Sequence, residues 1–169
     1  MSDKIMIPPE IDGCEPLLRA VSHPSGLDNN KRATPLAFRL RKGEQDISLC
    51  RGWYEDFKAF TKRALKFKYY WPGDKTAAVA ELYASDIRSL DMNIILKPST
   101  DRSGSAHASI YFKNEDGSFY IGKEDKETDP VDPKILSYEM ALASIVKKVY
   151  DLEKMVIWEQ NQDVSVIDD

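Results

Sequence analysis

Apolar and polar positions alternate along several short stretches of this chain, and two longer stretches carry apolar residues at spacings of three and four. The first pattern marks a strand with one buried face, the second a helix with one buried stripe. Leu17-Leu18-Arg19-Ala20-Val21 predicts a first strand that stops at His23-Pro24. Pro35–Arg41 sets Phe38 and Leu40 on one face and Arg39 and Arg41 on the other. After a turn at Lys42-Gly43-Glu44, the run Asp46–Arg51 predicts its hairpin partner. From Trp53 to Lys68 the period becomes helical, with Trp53, Phe57, Phe60, Ala64 and Phe67 as the stripe. Ala77–Leu82, Met92–Leu96 and Ser105–Phe112 read as strands and Ser85–Leu90 as a short helix. Ser118–Ile121 reads as a run that hairpins back, and 123–133 as an acidic connector. Ile135, Tyr138, Leu142, Ile145, Val149, Leu152 and Val156 predict a closing helix of about 20 residues.

This succession predicts an α+β domain, a mainly antiparallel sheet of about five to six strands with two main helices packed on one side. Residues 1–15 read as a flexible arm, 16–157 as the single domain and 158–169 as an acidic tail.

Composition agrees with a chain that buries a core: 169 residues, 42% hydrophobic and 31% charged. No apolar run approaches the roughly 20 residues of a membrane span. The N-terminus lacks the apolar core of a secretory signal, so a cytoplasmic protein with no membrane contact is expected. Cys14 and Cys50 lie far apart and read as two reduced thiols. The net charge of −4 conceals a split. Residues 17–75 hold 13 Lys and Arg against 6 Asp and Glu, whereas residues 76–169 hold 10 against 18. Such a split points to an anionic partner or to attraction between the two parts within the fold, and the internal reading carries more weight.

Arg19 is the sharpest pointer to a site. It shares a strand face with Leu17 and Val21, and a buried guanidinium must find acceptors, whether a carboxylate, carbonyls or an anionic ligand. Arg19, Ser48 and His107 are therefore the catalytic candidates, and with His23 and Arg39 they form the candidate ligand-binding set. An arginine on a first strand and a serine on a later one loosely resemble the way ADP-ribosyltransferase-like folds hold NAD, where arginine binds a phosphate and serine supports the ribose. That comparison implies an acidic residue as well, for which Glu81 and Glu115 are the choices. The two histidines show no metal-ligand spacing, so no metal is expected. A second candidate is the basic helix 53–68. Lys58, Lys62, Arg63, Lys66 and Lys68 line one side of it, followed by Tyr69, Tyr70 and Trp71. Such a row suits phosphates with stacking groups alongside, and Arg39, Arg41 and Arg51 would extend it from a neighbouring hairpin. A sequence pI near 5.3 weighs against nucleic acid. No Gly-rich phosphate loop or nucleophile elbow is present.

The segments Leu17-Leu18-Arg19 with His23-Pro24, Ala37-Phe38-Arg39, Ile47-Ser48-Leu49 and Ala106–Phe112 together resemble a group of small uncharacterised bacterial proteins. That group carries Leu-Leu-Arg before His-Pro, a Ser-x-Ala-Phe segment, a Leu-Ser-Val segment and His-Ala-x-Ile. Here Thr34–Phe38 stands in place of the second and Ile47–Cys50 in place of the third. The resemblance spans 17–112 and brings no activity. It implies a bacterial protein, an accessory in a host-conflict locus of defence or toxin type. The leading expectation is a binding protein with a protein partner. A nucleotide- or NAD-handling enzyme and a nucleic-acid binder stand as alternatives, and no cofactor is expected outside the NAD alternative.

Overall fold

The computed structural model describes residues 7–66, 75–99, 106–124 and 129–159. At its centre is β1, Pro16–His23, paired antiparallel on one side with β2 (Asp46–Arg51) and on the other with β3 (Lys75–Tyr83). A strand covered on both faces needs apolar residues at odd and even positions alike, and Leu17, Leu18, Ala20 and Val21 supply them, all buried. With β4 (Ile94–Pro98), β5 (His107–Phe112), β6 (Lys148–Asp151) and β7 (Val156–Glu159) they form one seven-stranded antiparallel sheet. Its order is β4-β5-β2-β1-β3-β6-β7. The α+β class and the antiparallel sheet are as the alternation predicts.

Strand alternation gives the sheet two unlike faces. Leu17, Val21, Ile47, Leu49, Ala80 and Leu82 belong to the larger core, closed by α2 (Ala84–Arg88) and α3 (Pro133–Ser144). Leu18, Ala20, Cys50 and Val79 point the other way, beneath Phe60 and Ala64 of α1 (Phe57–Ala64). The two longer helices thus flank the sheet from opposite faces and do not share one. Asp56 caps α1 by accepting from the Ala59 N–H at 3.2 Å, and Asp132 caps α3 by accepting from the Lys134 N–H at 2.8 Å.

Several stretches depart from the predicted elements. Pro35–Phe38 is a turn of 3-10 helix, so the hairpin with β2 does not form. Pro35 arrives with φ suited to a helical turn and has no N–H for a ladder. Ala37, Phe38, Arg39 and Leu40 are all buried, so the alternation reported neither the backbone shape nor which side chains are covered. Helix α1 starts at Phe57, where Asp56 caps it, and leaves Trp53 exposed before it. The closing helix ends at Ser144 and the chain continues as the β6–β7 hairpin. Val149 is buried there because alternate residues of β6 face the core, which mimics one step of a helical stripe. Ser118–Ile121 returns through a single bridge, Lys113 with Phe119. Gly122 then crosses the Arg41 carbonyl so closely that a Cβ would stand 2.1 Å from its oxygen.

Residues 7–15, expected as part of a loose arm, are held against the domain. Ile11 and Glu15 are buried, and Arg88 donates to the Ile11 carbonyl at 2.5 Å. Trp158 and Glu159, placed in the tail by sequence, belong to β7. Ion pairs Lys31–Asp151 (4.0 Å), Arg39–Glu139 (2.7 Å) and Lys75–Glu153 (3.2 Å) join the basic and acidic parts of the chain.

Candidate functional site

Register pairs β1 with β2 only at Leu17–Arg51 and Leu18–Cys50. Just past these pairs Arg19 enters the gap. Its Nε donates to the Ala37 carbonyl (3.1 Å) and its Nη1 to the Ser48 carbonyl (3.0 Å). The half-buried guanidinium thereby ties the 35–38 turn to β2. It occupies the larger-core face beside Leu17 and Val21, as its place in the strand predicts. The side chains of Ser48 and His107 lie on the other face, because Cys50 is there, Ser48 precedes it by two residues, and His107 is cross-strand from Cys50. The sheet itself separates Arg19 from the residues meant to join it. Arg39 is buried against α3, donating to Glu139 Oε2 (3.0 Å) and Oε1 (2.7 Å). His23 ends β1 opposite Lys75, with Nδ1 buried and without a hydrogen bond among the described residues. Of the two acids, Glu81 is buried in β3 and accepts from the Tyr150 hydroxyl at 3.2 Å. Glu115 is exposed and pairs with Lys134 at 3.2 Å.

What the structure does bring together is a polar strip on β2 and β5. Asp46 and Ser48 alternate along one strand, His107 and Ser109 along the other, with Ser48 directly opposite Ser109. The Ser109 hydroxyl donates to Asp46 Oδ2 at 2.9 Å and lies 3.4 Å from His107 Nε2. Ser109 and Asp46 escaped the sequence reading, although period-two spacing from His107 and Ser48 was the available signal. The order is acid, hydroxyl, imidazole. In a nucleophilic triad the imidazole stands between the other two and takes the hydroxyl proton. Here that proton is directed at a carboxylate, in a side chain that is almost wholly buried.

Cys50 extends the same row. Its thiol donates to Glu55 Oε2 at 2.9 Å, and burial together with the Glu55 carboxylate pushes it well above the ordinary thiol range. A thiol held protonated is a poor nucleophile, whereas Cys14 is exposed. An alkylating reagent near neutral pH should therefore modify Cys14 alone in the folded protein and both cysteines in denaturant, read by intact mass. Prompt double labelling of the folded chain would contradict the protonated, shielded thiol.

The basic helix keeps three exposed lysines, Lys58, Lys62 and Lys66. Arg63 is bound by both oxygens of Glu55, one contact being 3.1 Å. Arg39 and Arg51 are buried in ion pairs and Arg41 is bound by Glu44, so the expected extension of the basic patch is absent. Lys68, Tyr69, Tyr70 and Trp71 lie outside the described residues.

Two features were not foreseen. A hollow of about 970 Å³ opens between residues 113–124 and the start of α3. At the far end of the sheet, Met155 in the β6–β7 turn and Val156 and Ile157 of β7 are exposed at 82%, 41% and 57%. No group of three metal-ligating side chains occurs among the described residues, and no helix among them is long and apolar enough to cross a membrane. Comparison with family models, curated proteins and solved structures finds no match for this chain.

Proposed function

We propose that this protein is a binding component that takes an extended segment of a protein partner along the open edge of β7. The observation behind this reading is Val156 and Ile157, exposed on a strand whose outer side pairs with no other described strand, with Met155 exposed in the turn just before it. An unpaired edge offers a line of N–H and C=O groups that another strand can complete, and exposed apolar side chains add area. The opposite edge, β4, carries Lys97 and Pro98, which both discourage strand addition; β7 carries neither. Ile157 is cross-strand from Tyr150, whose ring packs on Phe57 with centroids 4.8 Å apart. The apolar surface therefore runs from the edge to the start of α1. A matching segment would be extended, with apolar residues at alternate positions.

The nucleotide-handling alternative has less behind it, since Arg19 and Ser48 carry their side chains on opposite faces. Peptide-library selection against the folded protein separates the readings. Peptides with alternating apolar residues should be enriched, and Ile157→Lys should weaken them about tenfold or more. Met140→Lys, at an exposed site on α3, should leave them unchanged. Failure to enrich any peptide, or binding indifferent to Ile157→Lys, would remove the proposal. Stabilisation by NAD or ATP at about 1 mM would favour the enzyme instead.

A further inference from the structure

The hollow beside α3 is independent of the β7 edge and holds an unbalanced charge. Its rim acids are engaged: Asp116 accepts from the Ser118 N–H (2.9 Å), Asp132 caps α3, and Glu115 pairs with Lys134. Glu124 differs. It lines the hollow at 5% exposure, and its acceptors are filled by two neutral donors. These are the Tyr120 hydroxyl on Oε1 (3.2 Å) and the Lys123 backbone N–H on Oε2 (3.1 Å). The guanidinium within its electrostatic reach, Arg39, is already held by both oxygens of the fully buried Glu139. Among the described residues, two buried carboxyl groups thus share Arg39 as their buried cation, beside an open space whose rim carries Lys113, Lys123 and Lys134. A carboxylate removed from water with no cation of its own is costly, and a cation brought into the space offsets that cost.

The walls suit the same guest. Tyr120 and Tyr138 both line the hollow, and aromatic faces attract ammonium and guanidinium groups. The chain's own Lys123 ammonium already stands 5.9 Å from the centre of the Tyr120 ring. No three-ligand metal group exists among the described residues, which favours an organic cation over a divalent ion.

We propose that this hollow binds an organic cation, a primary ammonium or guanidinium group, held by Glu124 against the rings of Tyr120 and Tyr138. Such a group could be a free amine or a lysine or arginine side chain of a partner, and two arms of one experiment distinguish them. In the first, phenethylamine and agmatine are titrated into the full chain by calorimetry, with 2-phenylethanol as the neutral match. In the second, a short peptide with a central arginine is compared with its citrulline counterpart. Cations should bind and neutral matches should not. Glu124→Gln should raise Kd about tenfold or more, and Lys123→Ala, which removes the resident ammonium, should lower it. NMR shifts in the unmodified protein should centre on Tyr120 and Tyr138, which keeps the test decisive if Glu124→Gln misfolds. Preference for the small amines assigns a free ligand, and preference for the arginine peptide assigns a partner's side chain. No cation binding in either arm, equal binding of the neutral matches, unchanged affinity in folded Glu124→Gln, or shifts elsewhere would overturn the proposal.

Discussion

Arg51→Met should destabilise the fold by about 3–5 kcal/mol, the usual cost of breaking a buried ion pair from one side. Arg51 and Glu15 are 2% and 0% exposed. The guanidinium donates through Nε to Glu15 Oε1 (2.8 Å) and through Nη2 to Oε2 (3.0 Å). Two more of its N–H groups reach the carbonyls of Pro8 (2.6 Å) and Glu10 (3.0 Å), and its Cζ lies 4.8 Å from the centre of the Tyr54 ring. One side chain therefore anchors residues 8–15 to the end of β2. Methionine keeps much of the volume but leaves the Glu15 carboxylate in the core with neither of its arginine bonds. Urea unfolding followed by tryptophan fluorescence measures the loss, and limited proteolysis should find new cleavage before Glu15. The double variant Arg51→Met with Glu15→Leu should recover most of the stability, because an apolar pair of similar volume removes the orphaned charge. A loss below about 1 kcal/mol in the single variant would mean that water reaches Glu15 and the pair is not buried.

The central strands were legible because their requirement is local. β1 and β3 must fill both faces of a covered sheet, so apolar residues crowd them wherever the partners come from, and β5 alternates apolar Ala108, Ile110 and Phe112 with the polar strip. Pro35–Arg41 was misread because its alternation of apolar and basic residues imitates a strand, whereas this irregular segment against α3 buries Ala37 through Leu40 in succession, Arg39 included through its pair with Glu139. The stretch after Ser144 was misread because Ile145, Val149, Leu152 and Val156 fit spacings of three and four by coincidence. The β-branched Ile145, Val146 and Val149 were the contrary signal. Arg51 was legible in principle: it continues the row Ile47, Leu49, Arg51 on one strand face, the same logic that singled out Arg19. Glu139 likewise sits four residues after Ile135 on the buried side of α3. Their partners were out of reach. Nothing local connects Glu15 to a strand 36 residues later, or Arg39 to a helix 100 residues away. The hollow and its unbalanced Glu124 depend on three such distant segments meeting, and no period in the sequence records that.

Arg39→Met should produce the second large loss, with a pH dependence that identifies its cause. Burial pushes the Glu139 carboxyl up, Arg39 pulls it back only in part, and the nearby Glu124 adds to the upward push. In the wild type the two short bonds from a charged Arg39 still hold Glu139 as a carboxylate near neutrality. Removing the guanidinium lets the carboxyl rise further above its unfolded value of about 4.3. A group raised in the folded state contributes stability that is intact below the unfolded value and is lost as pH climbs through the folded one. The deficit of Arg39→Met should therefore approach about 3–5 kcal/mol near pH 8 and shrink by at least about 1 kcal/mol near pH 5. This slope is opposite to that of a carboxylate whose salt bridge is lost on acidification. Adding Glu139→Leu should flatten the profile and restore most of the loss, since no buried charge remains on α3 to be stranded. Urea unfolding of the three proteins across this range decides the matter. A deficit of constant size at every pH would show that Arg39 acts through packing alone and that Glu139 is not left as an unpaired carboxylate in the core.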